Sequence, residues 1–314
     1  MSDFDLADRS SAAGAADCPL CGSSAHEYRD VDEVAYFECA TCDFIFADPA
    51  FIARIDAGEN VRKYDESYWA NELGSARQRS FGSSLARSAE ALLYCRIPVE
   101  RFSDIGSGPG FLLDALSTYL PSHRARFYGV EKFPPQESER SRHENYLCAD
   151  LADVELKFEC GVCIEVIEHL TPAMAAGLAT AMTAVSKPGS LFLFNTGLTD
   201  YVRHEDPGYL DPYARGHITA WSVTAARKVF EKVGFVVHPL PGKTWAFVVA
   251  GNRFARRVPR SDLVGIACQY RFVVRSCHGQ RDVPPRARKR QSILSPPCLL
   301  GQFGRVFPTV RAAI

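Results

Sequence analysis

The stretch GVCIEVIEHL, residues 161–170, closes a β-branched run with Glu165, Glu168 and His169. Two carboxylates and an imidazole at this spacing are compatible with three kinds of chemistry. They can form the polar wall of a pocket. His169 can act as a general base on a bound hydroxyl, because an imidazole titrates near neutral pH. Or Glu165, Glu168 and His169, joined by the later His217, can ligate a divalent metal, the least favoured of the three.

A second constellation lies upstream in SDIGSGPG, where Gly106, Gly108 and Gly110 follow a strand-like run and precede a helix-like one. Such a loop lets the backbone approach a ligand at the carboxyl edge of a parallel sheet. A nicotinamide fingerprint requires G-x-G-x-x-G, and here the third glycine comes one residue early. Asp104, just before the loop, can accept from a cationic amino group. Glu131 closes the next strand-like run, 21 residues beyond Gly110, where a carboxylate can bind both hydroxyls of a ribose. Asp150 ends the following run and can accept from an adenine amino group. Three acidic strand ends around one glycine loop make a nucleoside pocket.

The cysteines give the third constellation. Cys18, Cys21, Cys39 and Cys42 form two C-x2-C knuckles with seventeen residues between them, which suits a tetrahedral zinc site. Four thiolates leave no open position, so such a zinc is structural. Cys160 and Cys163 repeat the spacing, but in a strand i and i+3 face opposite ways, so they read as core.

These residues are positioned by an alternating pattern. From Arg101 onward strands and helices follow one another: RFSDIG, FLLDALSTYL, ARFYGVE, NYLCAD, CGVCIEV, a helix opened by Thr171 and Pro172, SLFLFNT, and a helix opened by Ser222 and ended near Gly234. FVVHPL and TWAFVVAG follow as an antiparallel hairpin. The reading divides the chain into a disordered N-terminus (1–17), a zinc ribbon (18–48), a helical lead-in (49–100), an α/β core (101–251) and a basic, disordered tail (252–314). Tyr64 and Tyr68 in the lead-in lie one helical turn apart and can present a common face.

Composition supports a soluble protein of 314 residues with net charge −1. That balance is asymmetric: residues 252–314 hold 13 Lys/Arg against Asp262 and Asp282, leaving 23 basic and 35 acidic side chains in the rest. No secretory segment or membrane span is legible, and eleven cysteines fit a reducing, cytoplasmic setting.

In this order and spacing, DIGSGPG, Glu131, Asp150, EVIEHL, KPGSLFLFNT and GHITAWSVTAARKVFEKVGF resemble the class I S-adenosylmethionine-dependent methyltransferases. The resemblance implies a doubly wound, Rossmann-like α/β fold with a mostly parallel seven-stranded sheet, preceded here by the small four-cysteine zinc ribbon. It implies that Gly106, Gly108 and Gly110 wrap the methionine part of S-adenosylmethionine, that Glu131 holds the ribose and that Asp150 approaches the adenine. It places Glu165, Glu168 and His169 at the sheet edge facing the sulfonium and the methyl acceptor.

The expected reaction is methylation of a small metabolite of sugar or secondary-metabolite type, on oxygen before carbon. The Glu-x-x-Glu-His pattern with a distant His also resembles the metal tetrad of RNA 3′-terminal 2′-O-methyltransferases, so RNA is the second candidate acceptor. A non-catalytic zinc and nucleoside-binding module is the alternative of another class. An Asn/Asp-Pro-Pro-Tyr stretch, expected for methylation of base amino groups, is replaced by EVIEHL. Acceptor identity and oligomeric state are not encoded in any motif.

Overall fold

The computed structural model describes residues 15–59 and 66–251, with residues 66–71 as backbone only. The basic tail, the first fourteen residues, Tyr64 and the side chain of Tyr68 therefore lie outside the described residues.

The first strands are short and antiparallel: β1 (Ala15–Asp17), β2 (Ser24–Val31), β3 (Val34–Cys39) and β4 (Phe44–Ala47). Helix α1 (Pro49–Asp56) follows, capped by Asp48, whose carboxylate accepts from the Ala50 and Phe51 amides. Helix α2 (Glu66–Arg79) runs through a π-helical turn at Ser80–Ser84 into α3 (Leu85–Tyr94). The core then alternates through β5 (Phe102–Ile105), α4 (Phe111–Tyr119), β6 (Phe127–Glu131), β7 (Tyr146–Cys148), β8 (Phe158–Ile164), α5 (Pro172–Val185) and β9 (Ser186–Asn195). It closes with α6 (Thr199–His204), β10 (Thr219–Ala220), α7 (Val223–Phe230), β11 (Phe235–Pro239) and β12 (Ala246–Gly251).

The large sheet has seven strands in the order β11-β12-β9-β8-β5-β6-β7. Strand β5 pairs in parallel with both β6 and β8, whereas β12 is antiparallel to β9 and β11. Chain order therefore reverses at β5, and the glycine loop leaves the sheet at that switch point, where open α/β sheets bind ligands. The helical starts follow local chemistry. Thr171 Oγ1 accepts from the Met174 amide and Ser222 Oγ from Ala225, with Pro172 at the first helical position. Gly234 ends the last helical turn with φ 92°.

The two faces of the sheet carry different layers. Cys160, Val162, Leu191 and Leu193 pack with Ala91, Leu112 and Leu116 of α3 and α4. Cys163, Phe192, Phe194 and Phe247 pack on the other side with α5 and α7. Cys160 and Cys163 thus point to opposite faces, as strand alternation requires. Strand β9 begins at Ser186 and takes in the KPG segment, which sequence reads as a turn; its register with β8 shifts between Phe158 and Cys160.

Strand β10 is not legible in the sequence pattern. It leaves the core and pairs with β4, completing a five-stranded sheet in the order β1-β2-β3-β4-β10. The N-terminal sheet thus takes its last strand from the core, and residues such as Phe44 and Ile45 join one apolar cluster with Trp221, Ala226 and Phe230.

Candidate active site and cysteine centre

A cleft of about 1120 Å³ opens at the carboxyl edge of the large sheet. Its walls include Asp104, Gly106, Gly108, Glu131, Lys132, Asp150, Glu165 and His169, with Arg79 and Ser80 from the lead-in helix. Most of the side chains singled out from sequence share this one cavity.

At one end the three glycines all have positive φ: 72° at Gly106, 53° at Gly108 and 77° at Gly110. L-residues rarely adopt this region, so the loop's path depends on glycine. Space adds a second constraint. A Cβ at Gly106 would stand 2.5 Å from Val166 Cγ2, and one at Gly110 2.6 Å from the Tyr146 ring. Tyr146 in turn donates its hydroxyl to the Gly108 carbonyl at 2.5 Å. Sequence reading did not single out Tyr146; its place near the start of a short strand-like run gave no signal.

Glu131 accepts from the Gly108 amide and the Phe133 amide, both at 2.7 Å. Burial raises its carboxyl above the ordinary range, and these amides work in the opposite direction. Asp104 is buried beside it and is pushed up to about 7, mainly by burial and then by the charge of Glu131. A cationic group entering the cleft would reverse that shift. Asp150 differs, because Lys132 at 2.6 Å and the Ala152 amide at 3.0 Å hold its carboxyl below the ordinary range. Toward an adenine amino group it would offer a further lone pair on an oxygen that already has a partner.

The opposite end is assembled from distant segments. Glu165 takes φ 54°, an uncommon conformation for a non-glycine residue. Its carboxylate accepts from Asn195 Nδ2 at 2.6 Å, and Asn195 Oδ1 accepts from Arg87 Nε at 2.9 Å. Glu168 is fully buried; Oε1 accepts from the Tyr209 hydroxyl at 3.0 Å, whereas Oε2 has no hydrogen-bond partner. Burial and the neighbouring Glu165 raise the Glu168 carboxyl well above the ordinary range, which favours its neutral form. Tyr209 also accepts from the Gly197 amide at 2.8 Å.

His169 Nδ1 lies 2.9 Å from the Gly216 carbonyl, and His217 Nδ1 lies 2.7 Å from the Tyr209 carbonyl. A carbonyl can only accept, so both Nδ1 atoms carry hydrogen, and in its uncharged form each ring has its lone pair on Nε2. The rings are 4.9 Å apart. One ligand-capable atom from each of Glu168, His169 and His217 falls within 4.8 Å of the others; Glu165 is outside that group. Asn195, Tyr209 and Arg87 were missed in sequence because they carry no motif.

In the N-terminal sheet Cys18 Sγ is 3.6 Å from Cys42 Sγ, and Cys21 Sγ is 3.5 Å from Cys39 Sγ. A tetrahedral zinc with Zn–S near 2.3 Å sets sulfurs about 3.8 Å apart, so the spacing fits within a small contraction. Each knuckle turns on a positive-φ residue, Gly22 at 72° and Asp43 at 56°, held by amide bonds from Gly22 to Cys18 and from Asp43 to Cys39, both 2.8 Å. Cys18 and Cys42 share a proton, which draws the Cys18 thiol down to about 5 and pushes Cys42 up.

A glycine cradle at the switch point of a mostly parallel sheet, with acidic residues at the strand ends, defines a doubly wound α/β fold with a ligand cleft. A family model described as a methyltransferase domain matches residues 74–240, more than half of the chain, and the chain belongs to that family. It is an S-adenosylmethionine-dependent class I methyltransferase. Among solved structures, it is similar to a SAM-dependent methyltransferase from Thermotoga maritima (12% identity, TM-score 0.41, covering 59% of this chain and 98% of that one). An amino pentose methyltransferase from Micromonospora echinaspora gives 15% identity and TM-score 0.41, covering 60% and 98%. Human N-acetylserotonin methyltransferase gives 15% and 0.42, covering 63% and 65%. Comparison with curated protein sequences finds no match. Among the described residues, no helix is long and apolar enough to cross a membrane.

Proposed function

We propose that the enzyme methylates a hydroxyl oxygen of a small molecule, with His169 as general base. The observation that supports this best is the orientation of His169, a cleft-lining residue whose Nδ1–H is held on the Gly216 carbonyl, so that in the uncharged ring Nε2 is the basic nitrogen. S-adenosylmethionine supplies an electrophilic methyl group on its sulfonium. In this reading Gly106, Gly108, Gly110 and Asp104 hold its methionine part, Glu131 the ribose and Asp150 the adenine edge. His169 Nε2 would take the proton of the acceptor hydroxyl, and the bound donor would supply its methyl group to that oxygen and leave as S-adenosylhomocysteine. The products are the methyl ether and S-adenosylhomocysteine, with the proton left on the imidazole. Glu165, anchored by Asn195, and Glu168 shape the wall behind His169. Alignment of donor and acceptor supplies most of the remaining rate.

A second reading has its own support. Glu168, His169 and His217 converge, both imidazoles are oriented through Nδ1–H to carbonyls as metal-bound imidazoles are, and Glu168 Oε2 is buried without a partner. A divalent cation there would ionise Glu168 and bind the acceptor oxygen, and RNA would then become the first acceptor to examine. Labelled donor incubated with metabolite extracts and with RNA, each with and without chelator, separates the readings. Transfer to a small molecule that survives chelation supports the first. Activity abolished by chelator and restored by magnesium or manganese, but not zinc, supports the second.

The four-cysteine centre belongs to the same proposal as a structural zinc site, supported by its sulfur spacing. Metal analysis should find one zinc per chain, lost in Cys39→Ser; zinc-free protein with an ordered N-terminal sheet would rule the site out. A cytoplasmic setting is part of this reading, supported by the eleven cysteines.

A further inference from the structure

We infer that Tyr36 of the N-terminal sheet is a positioning residue for His217, and that the cysteine centre fixes the acceptor end of the cleft through it. This rests on the reading that the cleft end bearing His169, with buried His217 packed beside it, receives the acceptor. Tyr36 lies on β3, three residues before Cys39, and is fully buried. Its hydroxyl donates to the His217 backbone carbonyl at 2.8 Å. Phenylalanine would fill the same apolar space, and burying a hydroxyl is costly unless it finds a partner. The hydroxyl is thus the part of Tyr36 that does something other than pack, and what it reaches is the carbonyl of a site histidine.

The neighbouring bonds run the same way. Ile218 donates its amide to the Glu168 carbonyl at 3.0 Å, and its own carbonyl accepts from the Ala47 amide at 2.9 Å. The next residues, Thr219 and Ala220, pair with Phe46 and Ile45 of β4. Trp221 packs on Phe44 with ring centres 4.8 Å apart and donates Nε1 to the Ile167 carbonyl at 3.1 Å. At the second knuckle, Ser222 Oγ donates to the Cys42 carbonyl at 2.6 Å and Thr199 Oγ1 to Asp43 Oδ2 at 2.6 Å, while Arg203 binds both Glu38 and Asp43. One peptide layer therefore joins the cysteine knuckle, through β4 and residues 217–221, to the backbone of residues 167–168. The glycine loop takes no part in it.

Small cysteine-ligated modules draw much of their folding energy from the metal, so filling the centre tightens β3 and β4 beyond what their packing on Trp221 and Phe230 provides. Emptying it loosens the elements that hold the His217 carbonyl and residues 218–220, while the loop after β5 keeps its own supports at Tyr146 and Glu131. Metal content thereby sets acceptor-end geometry separately from donor binding.

The test uses the full chain with isotope-labelled histidine, read by imidazole NMR, with His217 signals assigned by their loss in His217→Gln. Calorimetry with S-adenosylhomocysteine runs in parallel. Tyr36→Phe should move the His217 imidazole signals, leave those of His143 beside the glycine loop in place, and keep S-adenosylhomocysteine affinity within about threefold, as expected for sites without shared partners. Removing the cysteine-bound metal from wild-type protein, a treatment that needs no variant to fold, while magnesium is kept in the buffer should move the His217 and His169 signals with the same sparing of His143. Unchanged His217 signals after either treatment overturn the inference. So does an equal disturbance of His143 or a parallel loss of S-adenosylhomocysteine binding, since the ribbon would then support the whole fold. Methyl transfer indifferent to His169→Ala would instead sink the proposed reaction, and the spectra do not depend on that outcome.

Discussion

The two ends of the cleft are gathered from very different distances along the chain. The glycine-loop end comes from residues 104–150, a single βαβ unit and the strand after it, and each polar group sits at a strand's carboxyl end. The histidine end draws on Tyr36, Arg87, Glu165–His169, Asn195, Tyr209 and residues 216–221, and is closed by a strand pairing between the N-terminal sheet and the core. The first end is a local design that any chain of this pattern can repeat. The second depends on contacts between residues far apart in the chain, which no single segment determines by itself. That division suits an enzyme class with a common donor and diverse acceptors.

The comparison breaks if the histidine end has no chemical role. His169→Ala should lower turnover by about 10²–10⁴-fold, the usual contribution of a general base, with S-adenosylhomocysteine affinity nearly unchanged. Steady-state rates with any accepted substrate, beside calorimetry, check both halves. A comparable loss of donor affinity would show that the two ends are not separate.

At the other end, Gly110→Ala should weaken S-adenosylhomocysteine binding by roughly 10–100-fold, from a positive φ that costs about 1–2 kcal/mol and displacement of the Tyr146 ring. Displacing the ring also disturbs its bond to the Gly108 carbonyl. Wild-type affinity in this variant would remove the loop from the donor site.

The pH dependence of donor-end binding sharpens the same distinction. Asp104 has its carboxyl pushed up to about 7. Its protonated form favours the folded state, so this contribution to stability is complete below the ordinary carboxylate pKa of about 3.9 and is lost as pH rises through 7. A ligand amine selects the ionised form. Binding of S-adenosylhomocysteine should therefore release a proton below pH 7, and affinity should fall by up to about tenfold per pH unit there. Asp104→Asn should flatten this slope; an identical slope in the variant would assign the proton elsewhere.

The smallest expected effect is at Glu168. Because burial and Glu165 favour the neutral form of its carboxyl, Glu168→Gln comes close to exchanging one neutral group for another, and turnover should stay within about threefold if His169 acts without a metal. A loss of a hundredfold or more, together with sensitivity to chelator, would transfer the site to the cation reading.

Much of the glycine-loop end of the cleft was legible in the sequence. Gly106, Gly108 and Gly110 announce themselves because left-handed backbone excludes other residues, and Glu131 and Asp150 because a strand's end is a fixed place in a parallel sheet. The knuckles at Cys18, Cys21, Cys39 and Cys42 were legible for a similar reason, since two-residue spacing brings both sulfurs of a pair to one side of a tight turn. Alternation at Cys160 and Cys163 also translated directly into opposite faces. The strand beginning at Ser186 was misjudged because a Lys-Pro-Gly stretch has turn chemistry, and sheet pairing overrode it.

What the sequence determined by itself, then, was whatever follows from neighbours within a few residues: the βα alternation, the glycine path, the helix caps at Thr171 and Ser222, and the cysteine pairs. Only the tertiary structure decided that β10 would join the ribbon sheet, that Tyr36 would meet His217 across 181 positions, and that Glu168 would be buried with one oxygen unpartnered. These depend on which buried donors and acceptors find each other once the chain has closed. A hydrogen bond between residues so far apart leaves no periodicity in the sequence, since either partner alone reads as an ordinary core or loop residue.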